Sequence, residues 1–454
     1  MSKPGLATRT AATILLTRVV DDGRSLDGLL DTRHGPTQYK ELSDADKALS
    51  RAIVVTALRH RGEIEIGLSK VLDRKPPKNA RHLIHTLHVA TAQILHMDVP
   101  DSAAVDLAIA ALKNDQRSTR FAGLANAVLR RLSREKMDMF STMSTSEIAV
   151  TNMSPWLRKR IRKDYGKERL ASIAIQHMLE PIIDLTVKSD PEQWAEKLGG
   201  IHLFGNSLRV DRPGRIESWP GFGEGKWWIQ DAAASLPVNL FGELSGRTAL
   251  DLCAAPGGKT AQLASGGAQV TALEASTPRL DRLNSNLQRL NLNAETINAD
   301  MMEWTSDRLF DAVLLDAPCS STGTIRRHPD VQWNKSEQIV NELAQLQIDM
   351  IIRAAEFVKP GGTLVFANCS IDRAEGEDVY ATILSRDIGL EPDPTTAEEC
   401  FGLAELINRQ GTIRSLPCHL QCPAPPAGMK SESRRWTGLD GFFCARFKKA
   451  DKSA

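Results

Sequence analysis

Apolar residues recur at spacings of three and four from Thr8 to about Arg134, as in Ala11-Ala-Thr-Ile-Leu-Leu, Ala52-Ile-Val-Val-Thr-Ala-Leu and Leu124-Ala-Asn-Ala-Val-Leu. That is the period of helices with one buried face. Breaks fall at Asp21-Asp-Gly, His34-Gly-Pro, Lys75-Pro-Pro and Val99-Pro, and Ser43 with Asp46 marks a helix start. The pattern predicts an all-helical bundle over residues 1–140. Residues 135–153 are rich in Met, Ser and Thr, lose the period and read as a linker. Strand-like runs then appear in Ile183-Asp-Leu-Thr-Val and Ser207-Leu-Arg-Val, predicting a small α+β subdomain within 141–225. A glycine-containing loop from Trp219 to Trp228 leads out of it. Over residues 226–449 the runs become those of an α/β domain, with Asp440-Gly-Phe-Phe-Cys-Ala-Arg-Phe as its last strand.

Two of these runs end in chemistry. Val313, Leu314 and Leu315 suit a strand covered on both faces, and the run stops in Asp316-Ala-Pro-Cys319. Gly362-Thr-Leu-Val-Phe-Ala-Asn-Cys-Ser370 repeats the design with Cys369 at its end. Ligands of open parallel sheets sit beyond the carboxyl ends of the strands, so Asp316, Cys319 and Cys369 fall where chemistry is expected. Alone, each thiol would read as an ordinary buried cysteine. A third run, Thr248-Ala-Leu-Asp-Leu-Cys-Ala-Ala-Pro-Gly-Gly-Lys-Thr260, is a strand, a tight glycine turn and a helix start, where backbone N–H groups receive polar ligands. The turn fits neither the dinucleotide nor the P-loop spacing. Glu274 closes the next strand, where an acid grips ribose hydroxyls, and Asp300 follows the third strand, by the adenine edge. A nucleoside without a pyrophosphate suits this arrangement, and S-adenosylmethionine is such a cofactor.

With 454 residues the chain exceeds what one core usually serves. Its 42% hydrophobic and 25% charged residues are those of a soluble protein, without a membrane span or an apolar signal segment, which predicts a cytoplasmic protein with no membrane partner. Seven cysteines, an odd number scattered over a long chain, argue for free thiols. The net charge of +1 hides an asymmetry: residues 1–140 hold 22 Lys and Arg against 16 Asp and Glu. Arg117, Arg120, Arg130, Arg131 and Arg134 form a surface suited to phosphates, or simply a solvated basic face. Pro155-Trp-Leu-Arg-Lys-Arg-Ile-Arg-Lys-Asp-Tyr-Gly166 interleaves cations with aromatics, as a segment tracking a nucleic-acid backbone does, and equally reads as a helix with Trp156, Leu157 and Ile161 inward. No metal is expected. His82, His85 and His88 have helical spacing without a completing Cys, Asp or Glu, and Cys418 with Cys422 lacks a second ligand pair.

The segments Arg81–Pro100 and Phe121-Ala-Gly-Leu-Ala-Asn-Ala-Val-Leu-Arg-Arg131 resemble the NusB-like RNA-binding domain. Asp251–Thr260, Asp316–Gly323 with Arg326-Arg-His-Pro-Asp330, and Asn368-Cys-Ser370 resemble the signature motifs of the Nop2/Sun RNA (cytosine-5)-methyltransferases, and the chain is most similar to their bacterial Sun/RsmB type, which acts on 16S ribosomal RNA. The resemblance implies a Rossmann-like catalytic domain behind an all-α NusB-like bundle and the small α+β subdomain, in a monomer. It implies that Cys253, Ala254, Ala255, Pro256, Gly257, Gly258 and Lys259, with Glu274, Asp300 and Asp316, form the S-adenosylmethionine site. Cys369 would then be the nucleophile that attacks cytosine C6. Asp316 would stabilise charge at N3, and Cys319 would serve the release step on an unstacked base. Two departures stand out: Asn368 replaces the usual Thr, and Ile183-Asp-Leu-Thr-Val lacks the Arg and Asn of many members. The rivals are a non-catalytic RNA-binding assembly factor, against which the intact thiols and glycine turn argue, and an N- or O-methyltransferase, which would not need two thiols.

Overall fold

The computed structural model describes residues 3–31, 34–77, 79–420 and 433–451. They divide into a helical unit, residues 1–178 with 327–336, and a second unit, residues 179–326 with 337–454. No helix among the described residues is long and apolar enough to cross a membrane.

The helical unit opens with α1 (Leu6–Val20), α2 (Leu26–Leu30), α3 (Thr37–Lys40), α4 (Asp44–Arg59) and α5 (Arg61–Val71). It continues with α6 (Arg81–His96), α7 (Asp101–Asn114), α8 (Ala122–Glu135), α9 (Thr145–Thr151) and α10 (Pro155–Met178). The predicted periodicity becomes its core, where Leu15, Leu16, Ile53, Leu58, Leu83, Leu112 and Leu129 are fully buried. Ser43 caps α4 as its sequence suggests, its Oγ accepting from Asp46 N at 3.2 Å. The linker expected over 135–153 instead contains α9. Ser144 Oγ accepts from Glu147 N and Ser144 N donates to Glu147 Oε2 at 2.8 Å, a capping box that starts a helix where the periodicity is poor. In α10, Leu157 and Ile161 are buried, and the half-buried Trp156 indole donates to Gln332 O at 3.0 Å. Residues 327–336 rejoin this unit: Asp330 Oδ2 accepts from Leu26 N, and Trp333 Nε1 donates to Leu58 O, each at 2.9 Å.

The second unit begins with a four-stranded antiparallel sheet of β1 (Ile183–Val187), β2 (Ile201–Phe204), β3 (Ser207–Val210) and β4 (Trp227–Ile229), in the order β2-β3-β1-β4. The expected loop from Trp219 to Trp228 thus ends as an edge strand, because Trp227 and Trp228 have an apolar face to bury. Helices α11 (Pro191–Leu198) and α12 (Ala232–Asn239) belong to this stretch. At the sheet's centre Arg209 grips Asp184 with two bonds of 2.7 and 2.8 Å, and donates to the carbonyls of Trp436 and Gly438.

The main sheet contains β5 (Thr248–Leu252), β6 (Gln269–Leu273), β7 (Glu295–Ile297), β8 (Phe310–Asp316), β9 (Val358–Asn368), β10 (Leu390–Pro392), β11 (Ile413–Ser415) and β12 (Phe442–Lys449). Its order is β10-β12-β9-β8-β5-β6-β7, with β11 also on β12. The pairs from β7 to β9 are parallel, whereas β12 runs antiparallel to β9. Helices α13 (Gly258–Ser265) and α14 (Thr277–Leu290) link the first strands. Next in the chain are α15 (Val331–Asn334, in the helical unit), α16 (Glu337–Ala355) and α17 (Glu377–Leu384). Ala312 to Leu315 are fully buried, as the doubly covered run predicts. The architecture is the predicted α/β domain, preceded by an all-α bundle and a small sheet.

Removing one partner of a fully buried ion pair strands the other charge, at a cost of about 3–5 kcal/mol. Arg209→Met is therefore expected to lower the unfolding free energy of the second unit by that order. Guanidinium denaturation followed by tryptophan fluorescence measures it, and a loss below about 1 kcal/mol would show that the pair does not hold the small sheet.

Candidate active site

From β5 the chain runs outward to β6 and β7, then returns to β8 and β9 on the other side. The carboxyl ends of β5 and β8 therefore flank the switch point where open α/β sheets bind ligands. After β5, Cys253 has φ +62° and Gly257 has φ +102°, a conformation natural only to glycine, while a Cβ on Gly257 would lie 3.2 Å from Leu283 Cγ. Ala254 and Ala255 are buried and Pro256 is exposed. No side chain caps α13, so the first N–H groups from Gly258 and Lys259 onward are open to a ligand. Burial pushes the Cys253 thiol up to about 12, which keeps it neutral and unreactive.

Glu274, only 3% exposed at the end of β6, accepts from Ser276 N at 2.9 Å and Ala255 N at 3.3 Å, with Arg279 at 3.4 Å. A carboxylate has roughly four acceptor sites, so capacity for hydroxyl donors remains. Asp300 is exposed beyond β7, and its Oδ1 accepts from Met302 N at 2.9 Å. Asp251, fully buried in β5, is pushed up to about 7 by burial, and accepts from Thr260 Oγ1 at 2.6 Å. Its Oδ1 has no partner. An open helix start, a turn that closes on two residues without a Cβ, Gly257 and Gly258, and a buried acid with spare acceptor capacity fit a nucleoside-bearing amino acid such as S-adenosylmethionine.

Beyond β8 and β9 the two thiols meet, with Cys319 Sγ and Cys369 Sγ 3.4 Å apart and both half-buried. The hydrogen bond from Cys319 holds Cys369 below the ordinary thiol value, against burial and the nearby Asp316 charge, and Ser321 and Lys259 act in the same direction. The same bond, with burial and the neighbouring charges, pushes Cys319 well up. The pair thus favours the proton on Cys319 and the anion on Cys369. Lys259 Nζ donates to Asp316 Oδ2 at 2.7 Å and lies 5.0 Å from the Phe442 ring. Burial alone would lower Lys259, but the Asp316 charge and hydrogen bond outweigh it and keep the ammonium protonated.

The residue that ties the two thiol-bearing segments together is Glu375. This fully buried carboxyl, raised by burial, accepts from Ser320 N at 2.8 Å and Ser320 Oγ at 2.5 Å, and Asn368 Nδ2 donates to its carbonyl. It clasps the loop of one thiol to the strand of the other. Hydroxyl contacts between Thr322 and Ser370 at 3.0 Å and between Ser320 and Ser370 at 3.3 Å, with Gly323 N donating to Cys369 O, complete the seam. In Asp372-Arg-Ala-Glu-Gly-Glu377 the acid looks like any charged helix start, so no local signal marks it. Arg414 bonds Glu377 through two nitrogens and also donates to Ser370 O. Arg326 joins Asp231 and Asp440.

The histidines considered for metal are drawn into the bundle: His85 Nε2 lies 3.1 Å from Asp21, and His88 beside Arg61 is held well below its ordinary value by burial. Cys422 lies outside the described residues. His60, Glu63 and His96 are the one metal-compatible group among the described residues. The two imidazoles stack at 3.9 Å and 17°, so no single ion lies in both ring planes, and His60 already bonds Glu63 at 2.9 Å. Of the basic residues in the bundle, Arg130 and Arg131 bond Asn126 and Glu135, and Arg120 stacks on Phe121.

Residues 242–448 match the family described as 16S rRNA methyltransferase RsmB/F, and residues 6–134 the NusB family. The chain is 33% identical over 405 residues to the ribosomal RNA small subunit methyltransferase B of Citrobacter koseri, an alignment covering 85% of this chain and 91% of that protein. Its fold is similar to the crystal structure of PH0851, with 21% identity, a TM-score of 0.69 and coverage of 99% and 100% of the two chains. It is also similar to a methyltransferase homolog protein from Pyrococcus horikoshii, with 24% identity, a TM-score of 0.52 and coverage of 65% and 95%.

The proton arrangement of the thiols has a direct readout. Cys369 should be alkylated by iodoacetamide with a pH midpoint below that of an ordinary cysteine, about 8.5. Cys319→Ala should move that midpoint upward, because the hydrogen bond that lowers it is gone. Peptide mass spectrometry of Cys369 against pH gives both curves, and superimposable curves would show that Cys319 does not activate its neighbour.

Proposed function

The chain belongs to the RsmB/F family of 16S rRNA methyltransferases, and on that premise we propose that it methylates C5 of a cytosine in 16S ribosomal RNA through a covalent adduct on Cys369. S-adenosylmethionine is the cofactor of this class and supplies, when bound, a methyl group on a sulfonium. Cys253 to Lys259, Glu274, Asp300 and Asp316 would hold it. The observation that carries the reading is the 3.4 Å thiol pair, in which Cys369 is held below and Cys319 above the ordinary thiol value. The bundle of residues 1–140 grips RNA, and the target base is unstacked from a loop or single strand by a monomeric, cytoplasmic enzyme.

C5 of cytosine is a poor nucleophile until a group is added at C6. The Cys369 thiolate forms the C–S bond, and the C5–C6 electron pair shifts toward N3, where the Lys259–Asp316 pair lends a proton. C5 becomes electron-rich, takes the methyl group, and N3 returns its proton to the pair. Cys319 is raised chiefly by its bond to the Cys369 thiolate, and adduct formation removes that anion. Cys319 then releases its proton to solvent, removes the C5 hydrogen, and Cys369 departs as thiolate. The starting state is restored, with one proton released per methyl transferred, as the overall exchange of hydrogen for methyl requires.

Removing each thiol should therefore stop the cycle at a different point. Cys369→Ala is expected to abolish methyl transfer and to form no adduct. Cys319→Ala should attach and methylate but remain bound to its product. Denaturing gel electrophoresis after incubation with unmodified 16S RNA and S-adenosylmethionine shows an adduct as a slow, RNase-sensitive band. A band with the Cys369 variant and none with the Cys319 variant would reverse the assignment, and no band with either would overturn the release role.

A further inference from the structure

In the helical unit, α10 is broken at Gly166, whose φ 78° and ψ 178° lie in a region essentially open only to glycine. The break makes an elbow, and a cavity of about 660 Å³ lies where its two limbs meet α9. Its floor is aliphatic, with Leu170 buried and Val150 half-buried. Its rim is cationic: Arg158, Lys159 and Arg162 come from the first limb and Lys167 from the second. Lys159, Arg162 and Lys167 are exposed, and none of the four makes an ion pair among the described residues. The acid in the lining, Glu147, is already committed to capping α9 through Ser144 N and Oγ.

Four cations against one acid, Glu147, whose charge is shared between its cap and Lys167, leave an excess of positive charge around a concave apolar floor, a poor arrangement for a merely solvated face. Charge complementarity points to a polyanion, and the apolar floor to one that carries flat, weakly hydrated faces. We propose that the α9–α10 elbow is a binding site for single-stranded ribosomal RNA, with backbone phosphates on Arg158, Lys159, Arg162 and Lys167 and a base face over Val150 and Leu170. The proposal deepens the RNA-methyltransferase reading and rests on it.

Each phosphate contact on a single strand contributes roughly 0.7 to the slope of log K against log salt. Arg158→Ala with Arg162→Ala in the full chain should therefore reduce that slope by about 1.4, which at 0.1 M salt is roughly a 25-fold loss of affinity. The probe is a fluorescein-labelled, unmodified 16S RNA transcript followed by anisotropy. S-adenosylmethionine affinity and the melting curve should stay unchanged, and Lys159→Ala with Lys167→Ala should give a loss of the same kind. Unchanged slope and affinity in both double variants would overturn the site while leaving the proposed reaction standing. Loss of polyglutamate binding with RNA binding intact would overturn it in favour of an acidic protein partner. Failure of the unaltered enzyme to bind the transcript would sink the RNA reading itself, and this site with it.

Discussion

A thiolate and a thiol can share one proton in a half-buried pocket only if the strands carrying them end in step. In this fold β8 and β9 are parallel neighbours, with Asp316 opposite Ala367. Cys319 lies three residues beyond one of these positions and Cys369 two beyond the other, and the chain folds inward on both sides until the sulfurs are 3.4 Å apart. A register slip of one residue would turn every side chain of a strand to the opposite face. The run Ala312–Leu315 pairs with Thr363–Phe366, and its close packing on both faces makes such a slip costly. The hydrophobic pattern of two strands thus determines where the reactive sulfurs can be.

Beyond the strands, precision comes from buried polar groups. Glu375 holds Ser320 by its backbone and hydroxyl, Asn368 reaches the Glu375 carbonyl, and Arg414 ties Glu377 to the carbonyl of Ser370. A carboxyl stripped of water is costly unless its acceptor sites are filled, so the donors around Glu375 and the loop positions depend on one another. Asn368 takes part in this clasp: its Oδ1 accepts from Ser370 N at 3.0 Å while its Nδ2 reaches the Glu375 carbonyl. An amide can donate and accept at once over that span.

What could be read from the chain follows the range of the forces involved. Period and apolar runs report burial, so the bundle, the strands β5 to β9 and the residues at their ends were legible. Ser144-Thr-Ser-Glu147 was a legible helix start that the weak periodicity around it obscured. Glu375 and the Arg414–Glu377 pair were not legible, because each gains its role only from partners tens of residues away. The same holds for residues 327–336, whose place in the helical unit depends on Leu26, Leu58 and Ser154. Asp316 is intermediate: its position at a strand end was evident, but its pairing with Lys259 depends on two strand ends meeting across the switch point.

That pairing bears on why the two thiols are not equivalent. Two like groups sharing a proton at 3.4 Å would divide it evenly unless the surroundings differ. Around Cys369 the Ser321 hydroxyl and the Lys259 ammonium favour the anion, although Asp316 opposes it. Around Cys319 the charge of Glu375 adds to the repulsion already exerted by Cys369. Because Lys259 is bonded to Asp316, its positive charge near the sulfurs is partly cancelled, and the bias toward Cys369 is moderate rather than absolute. A moderate bias suits a thiolate that must attack and later leave, since a sulfur stabilised too strongly as an anion is a weaker nucleophile. In the proposed reaction, the asymmetry that would make Cys369 the attacking group is therefore the one that would keep Cys319 protonated until an adduct forms.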